Sequence, residues 1–218
     1  MRLRVIVVAA AVLAVSATAF AQQWTEFVSK DDRFMASFPG PPRVTETTFK
    51  SQFGADLPAR AYSAALGASR FSLTVVDYRP IEVILTEKSK ACPVGAETCR
   101  GGGSSTGAGY WRADVTGAIV YAAWQFVQRD AKVTEMLWSN IDLVEGQMLH
   151  LTNTDKSRTF VSIFMHENKL YIGEATVPPG AVEPALFQQS LGWVDENGTS
   201  IRYQTMYRNG FPAPPRAR

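Results

Sequence analysis

The sequence predicts an α+β fold, a largely antiparallel β-sheet covered by two to three helices, and three observations lead to this prediction. Short runs of alternating apolar and polar residues, typical of half-buried strands, recur in both halves of the chain. Two segments near the middle instead carry apolar residues at helical spacing. Strands, then helices, then strands again are most simply packed as a sheet with helices laid over it.

The first five predicted strands lie before residue 80, and breakers of sheet pairing separate them. Pro39-Gly40-Pro41-Pro42 ends the second strand, because proline has no amide hydrogen to donate to a neighbouring strand. Gly67-Ala68 is the predicted hairpin turn between the fourth strand and the fifth. The predicted strands are Trp24–Val28, Phe34–Phe38, Arg43–Lys50, Leu57–Leu66 and Ser69–Tyr78.

Two helices are predicted in the middle of the chain. The segment Ile81–Lys90 follows Pro80, which is tolerated in a first helical turn. The segment Ala113–Arg129 is rich in Val, Ile and aromatic residues, which also suit strands, but its length without a turn signal favours a buried helix. The tryptophans expected to fill much of the core are Trp111, Trp124, Trp138 and Trp193.

An antiparallel meander is predicted after residue 131, with turns at Glu145-Gly146, Asp155-Lys156 and Glu167-Asn168. Pro178-Pro179-Gly180 ends it, and a helix and a last strand follow. The predicted elements of this half are the strands Val133–Asn140, Gln147–Asn153, Thr159–His166 and Lys169–Val177, the helix Glu183–Trp193 and the strand Ile201–Tyr207.

Residues 1–21 have the three-part layout of a secretory signal peptide. A basic start at Arg2 and Arg4 precedes the apolar run Val5–Val15, and Ala19-x-Ala21 is placed for cleavage before Gln22. The apolar run is short for a membrane span, which disfavours the alternative of a retained anchor. The sequence therefore predicts a periplasmic or secreted protein, with a single α+β domain over residues 22–208 and an unpacked proline-rich tail over 209–218.

The charge balance argues against nucleic acid and anionic membranes as partners. The full chain has 22 Lys and Arg against 20 Asp and Glu. Because Arg2 and Arg4 leave with the signal peptide, the mature chain has 20 of each. A neutral chain has no electrostatic reason to bind a polyanion, so no nucleic acid and no stable membrane anchor after cleavage are predicted.

The only two cysteines, Cys92 and Cys99, have six residues between them and predict a disulfide in an exported chain. Free or partner-linked thiols are the alternative. A zinc site usually needs four ligands, and no second cysteine pair exists. The Gly-rich run Gly101–Gly107 follows and is predicted to be a flexible, exposed linker.

The sequence predicts no catalytic, cofactor-binding or metal-binding residues. His150 and His166 are the only histidines, and they make a site only if the meander brings them near a carboxylate such as Asp155 or Glu167. Residues 103–107 match G-x-S-x-G, but a glycine run precedes them where a hydrolase elbow needs a strand. Asp31 and Asp32 are interpreted as two exposed turn charges.

The stretch FMASFPGPP at residues 34–42, with Val75-Val76-Asp77-Tyr78 after it, resembles bacterial exported proteins that begin F-x-x-x-F-P-G-x-P. The order of Leu170-Tyr171, a Pro-Gly turn and a helix with Phe187–Leu191 is similar too. These proteins resemble the PsbP-like fold, an antiparallel sheet sandwiched by helices. The resemblance implies a non-enzymatic accessory or binding role and transfers no catalytic residues. The cysteine loop and the glycine run look like additions to that pattern.

The leading hypothesis is an exported, soluble binding or assembly module that contacts a protein partner in the cell envelope. One alternative is a carrier that encloses a small apolar ligand between sheet and helix. The other is a hydrolase that uses His150 or His166.

Overall fold

A computed structural model of the chain describes residues 24–96 and 110–217, and within these ranges it contains strands and helices in alternating blocks. The strands of the first block are β1 (Trp24–Ser29), β2 (Phe34–Pro39), β3 (Arg43–Lys50), β4 (Asp56–Leu66) and β5 (Ser69–Asp77). The helices α1 (Ile81–Lys90) and α2 (Trp111–Val127) follow. The remaining elements are β6 (Ala131–Ile141), β7 (Val144–Asn153), β8 (Arg158–His166), β9 (Lys169–Val177), α3 (Ala185–Gln189), β10 (Gly192–Val194) and β11 (Ser200–Ile201).

The strands form two antiparallel sheets. The large sheet has the order β3-β4-β5-β9-β8-β7-β6, and the small sheet has the order β1-β2-β10-β11. The two halves of the chain meet where β5 pairs with β9, with Phe71 opposite Ala175 and Val75 opposite Tyr171. β3 and β6 are therefore the two edge strands of the large sheet. This architecture confirms the predicted α+β fold class, a largely antiparallel sheet with helices.

Each face of the large sheet is covered by a different layer, so the molecule has two apolar cores. On one face α1 and α2 pack on alternate strand residues such as Leu149, Val161 and Ile163. On the other face the small sheet and α3 enclose residues such as Phe164 and Trp193. Because both faces are covered, the central strand β8 is buried along nearly all of its length. We call these the helix face and the small-sheet face.

Several element bounds agree with the prediction residue for residue. α1 covers Ile81–Lys90, β3 covers Arg43–Lys50 and β9 covers Lys169–Val177. The hairpin between β4 and β5 turns at Gly67, whose φ of 58° lies in the left-handed region that glycine tolerates best. Strong local signals of period and turn chemistry therefore determined these elements.

The predicted turn at Glu145-Gly146 is wrong, because the chain turns at Asp142-Leu143 instead. Those two residues have φ of 47° and 62°, the left-handed pair of a tight hairpin that usually takes Asn or Gly. Gly146 lies inside β7, where a Cβ would come within 2.2 Å of the Phe164 ring. The glycine is thus needed for close packing between strands, and its position misled the prediction of the turn.

The predicted helix Glu183–Trp193 is also wrong in its second half. α3 ends at Gln189, and Trp193 belongs to β10, where it pairs with Phe34 of β2 and with Ile201 of β11. These partners lie far from Trp193 in sequence, or only after a turn, so helical spacing was a poor guide here. Pairing with β2 decided the conformation of this segment.

The predicted last strand Ile201–Tyr207 and the unpacked tail both need correction. Only Ser200–Ile201 forms a strand, and Tyr207 makes an isolated bridge to Val144. The proline-rich tail is bonded to the domain, since the amide of Gln204 donates to the carbonyl of Pro215 at 3.0 Å. The tail therefore lies against the segment after β11, where Tyr203 and Arg216 form an isolated bridge.

Candidate functional site

An exposed apolar surface lies along α2 and the neighbouring edge strand β6. We call it the α2–β6 surface and define it by residues Val120, Trp124, Val127, Met136 and Trp138. The side chains of Val120, Trp124 and Trp138 are 66%, 51% and 62% exposed. Large hydrophobic residues are common on protein surfaces singly. Here Val120 and Trp138 line one cavity, whereas Trp124 stacks on Tyr121 on the side of the helix that faces β3.

The α2–β6 surface borders an unpaired strand edge. β6 is the last strand of the large sheet, and no described strand bonds to its outer side. Exposed edges of this kind offer main-chain donors and acceptors to another chain, and proteins usually protect them with charged residues. The opposite edge strand, β3, follows that rule, since its sequence RVTETTFK is dominated by charged and hydroxyl side chains.

Trp138 and α2 line a shallow cavity of about 310 Å³ that is open to solvent. Trp138 lies on the helix face because it is paired with Gln147 of β7, two residues along the strand from the Met136–Leu149 pair, and side chains two residues apart share a face. Ile119 and Val120 of α2 form the other wall. The cavity thus joins the exposed ridge of the helix to the edge of the sheet. Its lining also includes Thr116, Glu145, Gly146 and Asn209.

The prediction that Trp124 and Trp138 fill the core is wrong, whereas Trp193 is fully buried as expected. α2 does bury one side, but its outer ridge is as apolar as the buried side, so composition gave no sign of exposure. One sequence signal was available. Met136-Leu137-Trp138 breaks the alternation of β6, and three consecutive large apolar residues cannot all face one core.

A buried ionic cluster holds the small sheet against the large one. Asp32, in the turn between β1 and β2, is 2% exposed and lies 2.9 Å from the ammonium of Lys169, itself 3% exposed. The Tyr62 hydroxyl donates to the same carboxylate at 2.6 Å, and the Arg60 Nε lies 3.2 Å from it. Burial, with the hydrogen bond to Asp32, raises the pKa of Tyr62 to about 12. The interpretation of Asp32 as an exposed turn charge is therefore wrong.

The cluster is a structural clamp, because every strong donor around the Asp32 carboxylate is already engaged with it. The Tyr171 hydroxyl adds a hydrogen bond to the main-chain carbonyl of Asp32 at 2.7 Å. The turn has a left-handed residue, Arg33, with φ of 60°. Lys169 and Tyr62 could not be predicted from the sequence as partners of Asp32. Lys169 is 137 residues from Asp32, and Tyr62 is 30 residues from it.

His166 is fully buried and held in its neutral form. Its Nε2 lies 2.7 Å from the Tyr203 hydroxyl, and its ring packs against Trp193 at 4.7 Å between centroids. Burial lowers the pKa of His166 to about 3, with a smaller contribution from Arg216. A ring with no exposed surface cannot reach a substrate, so this histidine contributes packing to the small-sheet core.

His150 lies far from His166, and it pairs with Glu135 and not with Asp155 or Glu167. Its Nδ1 lies 2.7 Å from Glu135 of β6, and its ring meets Phe160 edge-on. Phe160 lies opposite His150 and six residues before His166 on β8, which puts the histidines about 20 Å apart at the strand rise of about 3.3 Å per residue. The condition for a histidine site, that the meander brings the two histidines together with a carboxylate, is therefore not met. Neither Asp155 nor Glu167 is the carboxylate bonded to a histidine among the described contacts.

Cys92 is buried just after α1, at 8% exposure, and Cys99 lies outside the described residues. The run Gly101–Gly107 and the signal peptide also lie outside them. The disulfide, the linker and the export signal therefore stay predictions. Within residues 24–96 and 110–217, no group of three or more His, Cys, Asp or Glu side chains is placed to hold a metal ion. In the same ranges, no helix has the length and hydropathy of a membrane span.

No protein-family model matches the chain, and no curated protein matches it by sequence. Among solved structures, the chain is similar to the solution structure of the cyanobacterial PsbP protein CyanoP from Synechocystis sp. PCC 6803. The two are 11% identical, with a TM-score of 0.38 over 76% of this chain and 86% of that one. At this identity and TM-score, the similarity transfers neither site residues nor function to the present chain.

Proposed function

We propose that this chain is an exported accessory or assembly module of the cell envelope that binds a protein partner through the α2–β6 surface. The observation that supports this most is the exposure of Trp138 beside an unpaired strand edge. The predicted signal peptide supplies the compartment, periplasmic or secreted.

The chemistry of the α2–β6 surface favours an extended segment of the partner. Main-chain groups along the outer side of β6 can pair with an added strand, and such pairing gives affinity without side-chain specificity. Alternate side chains of that strand would point toward the helix face, where Val120 and Trp138 form the walls of the cavity. Aromatic anchors of this kind dominate the binding energy of many interfaces.

The sharpest test places a photo-crosslinking amino acid at one edge of the sheet and then at the other. The chain offers a matched control, since Val44 on β3 is 47% exposed and also apolar. With the probe at position 138, we expect one specific crosslinked protein in the cell envelope. With the probe at position 44, we expect no such product. Equal products at both positions, or none at 138, would overturn the proposed surface.

Binding of the purified partner then measures the contribution of the tryptophan. Trp138→Ser should weaken binding at least tenfold, which corresponds to about 1.4 kcal/mol. The matched variant Val44→Ser should leave the dissociation constant unchanged, because it alters the polar edge. An unchanged affinity in Trp138→Ser would show that the partner binds elsewhere.

Export and the disulfide are tested on the protein recovered from the cell envelope. Its mass should correspond to a chain beginning at Gln22, and alkylation should modify Cys92 and Cys99 only after reduction. A mass that retains residues 1–21 would contradict cleavage. Modification without reductant would contradict the disulfide and leave the proposed surface intact, since neither cysteine lies in it.

A further inference from the structure

The part of the helix face that lies beyond α1 and α2 forms an open groove of about 500 Å³ at the opposite side of the molecule from β6. Along β4, the apolar residues Leu57 and Ala59 beneath the helices give way to Ser63 and Ala65 on the same face. Small and hydroxyl-bearing side chains therefore replace the core residues where the helices end. The groove is lined by Arg43, Ser63, Ala64, Ala65, Arg70, Phe71, Ser72, Glu174 and Thr176.

Two arginines of the groove have no carboxylate partner among the described residues. Neither Arg43 nor Arg70 takes part in any of the ion pairs there. The one acidic residue of the lining, Glu174, is already engaged by Arg129 of the segment after α2, with contacts of 2.6 Å and 3.1 Å. The groove thus has a local excess of positive charge in a chain whose mature form is neutral overall.

The two arginines converge on one space. Arg43 is opposite Ser63, and Arg70 is opposite Ala65, two residues further along β4. At a strand spacing of about 4.8 Å and a rise of about 3.3 Å per residue, their Cα atoms are about 12 Å apart. At this separation, the two arginine side chains are long enough to contact the same small ligand from opposite sides. The Ser63 and Ser72 hydroxyls lie between them.

We propose that this groove binds a tetrahedral oxyanion, the phosphate group of a small molecule or of a lipid. Guanidinium groups match such oxyanions because their planar N–H donors can bond two oxygens at once. The Ser72 hydroxyl adds a neutral donor, whereas the Ser63 hydroxyl donates to the main-chain carbonyl of Arg43 at 3.4 Å. The proposal is independent of the α2–β6 surface, which lies on the other edge of the sheet.

The test titrates inorganic phosphate into the mature chain and follows amide resonances by NMR. We expect saturable shifts at Ser72 and Thr176, with a dissociation constant that rises with salt concentration. The double variant Arg43→Gln/Arg70→Gln should weaken binding at least tenfold. The matched control Arg112→Gln/Arg202→Gln removes the same charge from exposed positions outside the groove and should change affinity less than twofold.

Glu174→Gln provides a variant that should bind more tightly. It removes the negative charge of the lining and releases Arg129, so phosphate affinity should rise several-fold. No saturable shift with phosphate, or equal loss in the two double variants, would overturn the proposal.

Vesicles distinguish the source of the phosphate group. Arginine-dependent binding to phosphatidylglycerol vesicles, with none to phosphatidylcholine, would assign the group to a lipid. Binding of free phosphate without binding to either vesicle would assign it to a small molecule. Either outcome requires the NMR shifts at the groove to be present, and their absence rejects both sources.

Discussion

Two regions of the molecule, the ionic cluster around Asp32 and the α2–β6 surface, place polar and apolar side chains in opposite ways. The small-sheet face buries charge, with Asp32 paired to Lys169 and a neutral His166 nearby. On the helix face, Val120 and Trp138 are exposed beside an open edge. The first arrangement has compensating contacts within the fold, whereas the second has none among the described residues.

The difference separates charged groups that stabilise the fold from apolar groups that the fold leaves exposed. A buried ion pair costs desolvation, and its several hydrogen bonds offset that cost while fixing how the two sheets meet. The exposed side chain of Trp138 has no such set of bonds, and Trp124 has one ring contact, with Tyr121. Their position is therefore the better guide to function, although the sequence drew attention first to histidines and acidic pairs.

Breaking the ionic clamp should have the largest effect on stability. Lys169→Met leaves the Asp32 carboxylate buried without its ammonium, and we expect a loss of about 3 kcal/mol in the free energy of unfolding. Chemical denaturation measures it. The matched variant Lys50→Met removes an exposed partner of Asp56 and should cost less than about 0.5 kcal/mol.

A double variant tests whether the cost comes from the unpaired charge. Asp32→Asn/Lys169→Met removes both charges, so it should be more stable than Lys169→Met alone. If Lys169→Met unfolds no more readily than Lys50→Met, the cluster is not a clamp.

Protonation of His166 at low pH should cause the second largest loss in the free energy of unfolding. The pKa of this group is about 3 in the folded chain against 6.5 when unperturbed. Below pH 6.5 the unfolded chain takes up a proton that the folded chain refuses, so stability is full above pH 6.5 and falls as the pH drops toward 3. Between pH 7 and pH 5 this single group should cost about 2 kcal/mol.

The variant His166→Gln isolates that contribution, since it cannot titrate. The free energy of unfolding should fall between pH 7 and pH 5 in both proteins. The fall should be about 2 kcal/mol smaller in His166→Gln than in the parent chain. An equal fall in His166→Gln would assign it to other groups.

Changes on the α2–β6 surface should have the smallest effect on stability. Trp124→Ser and Trp138→Ser remove exposed side chains, so the free energy of unfolding should change by less than about 0.5 kcal/mol. Thermal and chemical denaturation check this. A loss of several kcal/mol in either variant would mean that the tryptophan supports the fold, and the contrast between the two faces would disappear.

Most of the secondary structure could be predicted because its signals are local. The periods of α1, β3 and β9 and the turn at Gly67 are set by neighbours a few residues away. The errors have non-local causes. Gly146 is placed by the Phe164 ring, and Trp193 takes a strand conformation because β2 pairs with it.

Little of the candidate site could be predicted, because exposure is a property of the assembled layers. Trp138 and Trp193 are the same residue type, and both lie in sequence segments rich in apolar residues, so the local sequence does not tell them apart. Trp138 is 62% exposed and Trp193 is fully buried, since β6 ends the large sheet, whereas β10 lies inside the small sheet and Trp193 packs in the core between the two sheets. Strand order, which the sequence pattern does not specify, made the difference.

The sequence by itself determined the α+β class, most strands and the predicted export signal, since hydrophobic period and signal-peptide layout are written in adjacent residues. Only the tertiary structure decided which apolar residues stay outside and which charges go inside. Asp32 and Lys169 are 137 residues apart, and folding the small sheet onto the large one is what brings them together. Such contacts depend on how the layers stack, and no local pattern records that.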